Sequence, residues 1–284
     1  MRSDIRIVPI LVGLLIVGGL LFKGCQEGPF GRKQLTLMSP EQEYNLGAQA
    51  FREVLRKSDV VSGGPVVNVV QRVGGRLASA AEDPELRKLF RVRGDARFGW
   101  EFKVVESTQV NAFCLPGGKV VVYTGILPVC RTEGGLAAVM GHEIGHALAR
   151  HGAERMAQEQ VVQIGQVAAA VSLSDMDFRK RAQIIGLLSA GTQVGLLSYS
   201  REHESEADHI GLLLMARAGY DPVEAVEFWQ RMEQQGGGGR TPEFLSTHPS
   251  HGRRIQQLRG WLPEARQIYA RSTHQPSRPL PLSR

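Results

Sequence analysis

Met140-Gly141-His142-Glu143-Ile144-Gly145-His146 carries two histidines four residues apart, with a glutamate beside the first. In a helix, positions four apart differ by only about 40° around the axis, so His142 and His146 point the same way. Two imidazoles so placed can grip one metal ion, and His-Glu-x-x-His is the pattern by which a helical turn holds zinc. Glu143 can then reach a water at the metal without binding the metal itself, which is the placement a general base needs.

The flanking sequence predicts the helix that this spacing requires. Leu136 to Arg150 has no proline, and Thr132 can cap the start with its side-chain oxygen. Ala138 and Ala149 are small, leaving room for an ion, while Met140, Ile144, Ala147 and Leu148 form an apolar stripe at helical spacing. The expectation is a helix buried by one face and working with the other.

A catalytic zinc site uses about three protein ligands, so a third must come from elsewhere. A metzincin would place a glycine three and a histidine six positions after His146; Ala149 and Gly152 stand there, which excludes that class. His151 falls out of phase with the ligand pair and reads as a hydrogen-bonded core histidine. Arg201 to Gly219 offers Glu202, Glu204 and Glu206. Glu204 shares a helical stripe with Ala207, Asp208, Gly211, Leu214 and Ala218, whereas Glu202 and Glu206 share theirs with His209 and Arg217. The first stripe is the one expected to face inward. Glu204 is therefore the expected third ligand, Asp208 the acceptor that orients a zinc histidine through its far nitrogen, and Glu202 and Glu206 solvated.

Moving outward, Pro40–Lys57 reads as a helix capped by Ser39, with Leu46, Ala50 and Val54 as its apolar series, and Pro65–Ala81 as a second. Trp100–Val105, Val110–Leu115 and Lys119–Tyr123 read as a small antiparallel sheet, with Pro116-Gly117-Gly118 as a turn. An extended peptide could add itself to the edge of such a sheet. Val161–Leu173 and Ala182–Ser198 read as buried core helices, with a membrane-contacting or plug element near the site as the alternative; Pro222–Gln235 and Arg253–Tyr269 read as further helices, and Gly236–Gly239 as a loop before the segment that begins at Thr241.

The net charge of +6 resides at the ends: residues 1–33 carry five bases and two acids, and residues 271–284 three bases and no acid. The body is near neutral, which argues against a nucleic-acid-binding face. Ile7–Phe22 is free of charge and flanked by Arg2, Arg6 and Lys23. It reads as an uncleaved membrane anchor (residues 1–24), with a lipidated Cys25 as the alternative. Residues 25–37 read as a linker and 271–284 as a disordered basic tail. Cys114 and Cys130 are compatible with one bridge or two buried thiols.

His-Glu-x-x-His followed by Ser200-Arg201 and Glu204-x-x-Ala207-Asp208 resembles the gluzincin family of CAAX prenyl endopeptidases, HtpX membrane proteases and BepA-like periplasmic proteases. Asn111-Ala112-Phe113 with Pro116-Gly117-Gly118 resembles that family's substrate-side edge strand and turn, although Cys114 stands where a small alanine is more usual. Thr247-His248-Pro249 with Arg254-Ile255 resembles its C-terminal motif. The likeness covers residues 38–270, and the single N-terminal apolar run points to the BepA-like branch. It implies an α+β, mainly α, zincin-type metallopeptidase domain with a small antiparallel sheet beside the active helix.

It also implies one zinc per chain held by His142, His146 and Glu204, with Glu143 as base and Asn111, Ala112 and Phe113 on the substrate side. The resemblance nominates His248 and Arg254 to share the oxyanion charge, and offers His248 a second role as an extra ligand that holds the enzyme latent. The implied activity is endoproteolysis of misfolded or damaged proteins by a membrane-anchored enzyme on the periplasmic or exported side. The alternative is a chaperone-like assembly factor whose zinc is mainly structural; Glu143 favours the enzyme, since a structural site has no use for a base.

Overall fold

The computed structural model describes residues 6–184, 200–236, 242–248 and 252–281. In chain order its elements are α1 (Ile7–Gly24), β1 (Cys25–Glu27), β2 (Lys33–Leu35), α2 (Pro40–Arg56), β3 (Val60–Val61), α3 (Pro65–Ala81), α4 (Pro84–Leu89), β4 (Glu101–Val105), β5 (Ala112–Leu115) and β6 (Lys119–Tyr123). Then follow α5 (Leu127–Cys130), α6 (Glu133–Leu148), α7 (His151–Ser172), α8 (Arg201–Arg217), α9 (Val223–Gly236), α10 (Glu243–Thr247) and α11 (Arg254–Ala270). Residues 1–27, 32–38 and 153–198 form one compact unit; 28–31, 39–152 and 199–284 form the other.

In the first unit, α1 is long and apolar enough to cross a membrane, with mean hydropathy 2.3 over 18 residues, or about 27 Å at helical rise. The segment that reads as a linker is an antiparallel β1–β2 pair with Cys25 opposite Leu35. Arg6 bonds the Ser172 carbonyl and the Asp175 carboxylate, and a Cβ on Gly13 would meet Ala168 at 2.9 Å, so α7 lies alongside α1. The expected core helix at Val161–Leu173 forms part of α7 but is not buried: Val167 is 64% and Val171 46% exposed. Residues 185–198 of the next expected helix, and Gly237–Gly239 of the expected loop, lie outside the described residues.

The second unit is built around α6. Its sheet has the order β3-β4-β6-β5 and is not wholly antiparallel: β4 and β6 run parallel. The chain leaves β4, makes β5 on the outside, and returns through the Gly117-Gly118 turn to place β6 between them. Both glycines have positive φ, +77° and +84°, which a side chain would strain. β5 is thus an edge strand, paired only through Ala112↔Val122 to Leu115↔Lys119. On α2 a capping box joins Ser39 and Gln42 as expected, but the buried face is Glu43, Gly47 and Phe51 instead of the Leu46 series. The reason is that Glu43 pairs with Arg150, and Gly47 admits the Pro116 backbone where no Cβ would fit.

α6 is buried around nearly its whole circumference, so a one-faced reading understates it. α8 crosses it at glycines: a Cβ on Gly211 would lie 2.7 Å from the His142 backbone nitrogen, and one on Gly145 2.8 Å from the Ala207 carbonyl oxygen. The expected disordered tail is ordered through residue 281. Arg278 accepts from the Glu133 N–H at 2.9 Å, Ser277 Oγ from that of Gly134 at 3.2 Å, and the Leu280 N–H donates to Arg131 at 2.8 Å. The first N–H groups of a helix have no partner within it, and at this buried N-terminus the tail supplies acceptors.

Candidate metal centre and active site

Thr132 caps α6 by accepting from the Gly135 N–H, and the helix then runs unbroken through both motif histidines. His142 and His146 project toward α8, where the first turn, capped by Ser200, presents Glu204. His142 Nε2 and His146 Nε2 are 3.1 Å apart; Glu204 oxygens lie 3.5 and 3.4 Å from them. His248, just past α10, brings Nδ1 to 3.2 Å from His142 Nε2 and 3.1 Å from Glu204 Oε1. All four side chains are buried, and a donor atom from each falls within 4.8 Å of the others.

This set fits a zinc ion. Ligands about 2.0–2.1 Å from a tetrahedral centre stand roughly 3.3–3.4 Å from one another, and the donor spacings here are of that size. Charge agrees: Glu143, Glu204 and Asp208 are buried around the point, and a divalent cation offsets carboxylates that one guanidinium, Arg254, only partly balances. Glu143 Oε1 is buried with no hydrogen-bond partner and lies 3.3 Å from His248 Nε2. Burial pushes the Glu143 carboxyl up, opposed by His248 and His142, and the backbone N–H of Cys114 on β5 donates to it. Burial alone would raise Glu204, but the His248 charge and hydrogen bonds from the histidines hold it well below the usual carboxylate range.

Asp208, one turn after Glu204, accepts from His142 Nδ1 at 2.8 Å. Burial would lower the His142 pKa, but this hydrogen bond and the Asp208 charge push it up to about 9 in the absence of an ion. Arg254 is brought into the cluster: its Nε bonds Asp208, its Nη2 bonds Glu204, its Nη1 is buried with no hydrogen-bond partner, and its guanidinium lies 3.6 Å over the Trp229 ring. Asn111, Ala112 and Phe113 lead into the β5 edge, where Ala112 is fully buried and its N–H donates to Asn111 Oδ1 at 2.9 Å. Cys114 and Cys130 are free thiols with pKa values raised by burial, and His251 lies outside the described residues.

Two expectations change here. Glu206 is not solvated: it is 7% exposed and accepts from His151 Nε2 at 2.7 Å. The stripe argument misplaced it because α8 is buried on most sides. His151 is buried and hydrogen-bonded as expected, but its Nδ1 lies 2.9 Å from Nδ1 of His146. Phase alone could not show this, since α6 ends at Leu148 and Arg150, at φ +57°, turns the chain before α7 begins. Trp229, which meets His142 edge-on, and Phe244, stacked on His248 at 4.6 Å, also escaped the sequence reading. Trp229 sits on an ordinary amphipathic helix and offers no motif signal.

The chain matches peptidase family M48 over residues 70–262. It is 37% identical to the mitochondrial metalloendopeptidase OMA1 of Schizosaccharomyces pombe, across 90% of this chain and 72% of that protein. Identity to the Saccharomyces cerevisiae protein of the same name is 39%, across 89% and 76%. The beta-barrel assembly-enhancing protease of Escherichia coli is 27% identical, across 86% of this chain and 46% of that protein.

Proposed function

Because this chain belongs to peptidase family M48 and is a zinc-dependent metalloendopeptidase, we propose that His142, His146 and Glu204 hold the ion and that Glu143 is the catalytic base. The observation that carries this reading is the ring of buried donors at 3.1–3.5 Å with Glu143 beside it. Zinc, when bound, supplies the Lewis acidity that makes water a nucleophile at neutral pH and polarises the scissile carbonyl. Glu143 takes the proton from the attacking water and returns it to the leaving amine; its raised pKa suits both transfers. Asp208 holds the His142 ring, and Arg254 holds Glu204 and Asp208 together from behind. The substrate runs along the β5 edge as an added strand, held through outward-facing backbone carbonyls.

His248 stands among the donors, where it completes a fourth position. We read this arrangement as latent, since the water and the scissile carbonyl need that same space. We infer that the substrates are misfolded or damaged proteins; the relatives' names, a mitochondrial metalloendopeptidase and a beta-barrel assembly-enhancing protease, support proteolysis of proteins. We infer that α1, long and apolar enough to span, provides the anchor, and that the catalytic unit works on the periplasmic or exported side.

The test is cleavage of unfolded casein by full-length protein in detergent at equal zinc occupancy. Glu143→Gln should lower the rate by at least about 100-fold, the scale of a lost general base, while retaining zinc. His248→Ala should cleave faster than wild type. Zinc-loaded wild type and His248→Ala both inert would instead favour a client-binding factor with a structural ion.

A further inference from the structure

His146 is paired on the side away from the other donors. His151 Nε2 lies 2.7 Å from Glu206 Oε2, and a carboxylate in contact with a ring nitrogen is an acceptor, so that nitrogen carries the proton. In a neutral imidazole the remaining nitrogen, Nδ1, then holds a lone pair. His146 Nδ1 is 2.9 Å from it and must be the donor. With its proton committed there, His146 presents Nε2 as a bare lone pair toward His142, Glu204 and His248. Asp208 does the same for His142 at 2.8 Å, so both motif histidines face the centre through Nε2.

We propose that His151 and Glu206 form a hydrogen-bond relay that fixes the tautomer and ring plane of His146, making them positioning residues of the metal centre. The inference rests on the metal assignment above. Three features of the fold serve the relay. Five residues on in an unbroken helix His151 would point about 140° away from His146, but the left-handed Arg150 turns the chain back toward it. The Arg150 side chain is itself held by Glu43 on α2. His203 stacks on the His151 ring at 4.4 Å, and the His151 side chain is wholly buried, so packing as well as hydrogen bonding limits its rotation. The relay thus selects the tautomer that leaves Nε2 unprotonated.

The test measures zinc affinity of detergent-solubilised full-length protein by competition with a chromogenic chelator, together with the visible spectrum of the cobalt(II)-substituted form. His151→Phe, which fills the space but cannot accept, should bind zinc about 10- to 100-fold more weakly and shift the cobalt spectrum. His151→Asn places an amide oxygen near the Nδ1 position and should recover most of that loss. Glu206→Gln should weaken binding in the same direction, and carries the test if His151→Phe does not fold. Glu202→Gln, an exposed neighbour, should match wild type.

Affinity within twofold of wild type in both His151→Phe and Glu206→Gln, with an unchanged cobalt spectrum, would reduce His151 to a packing residue and overturn the relay. A loss that His151→Asn does not recover, at constant spectrum, would do the same. Wild type that binds no zinc would overturn the metal assignment itself.

Discussion

Arg254 ties together two carboxylates at the buried centre. It is buried, bonded to both Glu204 and Asp208, and stacked on Trp229. Removing one partner of a buried charge cluster leaves the others uncompensated, at a cost of about 3–5 kcal/mol. Arg254→Met should lower the denaturation midpoint in urea accordingly. Arg254→Lys should recover only part of the loss, because an ammonium cannot span two carboxylates as a planar fork does. Of the residues around the centre, His142, Glu143 and His146 were legible from spacing, and Glu204 and Asp208 from helical phase. His248 and Arg254 came through family likeness, because they meet the site only after two further helices have returned the chain to it.

Among elements, the α6–α8 crossing sets the distance from Glu204 to the histidines. Gly211→Ala would drive a methyl against His142 backbone, which cannot yield as a flexible side chain could. We expect a loss of about 1–3 kcal/mol in denaturant unfolding, the usual scale of overpacking, together with weaker zinc retention on dialysis.

At another junction Asp83 caps α4, accepting from the Glu85 and Leu86 N–H groups, and also pairs with Arg217 near the end of α8. Burial would raise its pKa, but the Leu86 hydrogen bond and Arg217 hold it below the ordinary 3.8. A depressed folded pKa means this stabilisation is present above 3.8 and is lost as pH falls through the lower folded value. Asp83→Ala should cost about 1 kcal/mol at neutral pH, and the difference from wild type should shrink below pH 3.8 in acid titrations of thermal stability.

At the scale of the whole molecule, the C-terminal segment is part of the catalytic unit. Arg278 and Ser277 accept from the first N–H groups of α6, and Leu280 is 7% exposed. Deleting residues 274–284 should destabilise by about 1–3 kcal/mol for each donor left unsatisfied, seen as a melting temperature several degrees lower. An unchanged melting temperature would mean the tail is dispensable. Composition misled here, since prolines and arginines without an apolar pattern read as disorder until the partner surface is known. The same limit explains the sheet: alternation marks strands, but only the chain path makes β4 and β6 parallel.

The sequence by itself determined the centre's local half: a helix with two histidines on one side, a glutamate between them, and a carboxylate in phase on a later helix. Those features follow from a 3.6-residue repeat and from ligand chemistry, both of which act over a turn or two. Only the tertiary structure decided what lies behind those ligands, namely Arg254 against Trp229, His151 and Glu206 behind His146, and the tail over the start of α6. Each of these joins residues distant in the chain or separated by a left-handed break, and they satisfy buried polar groups whose need for partners arises only once packing has removed water.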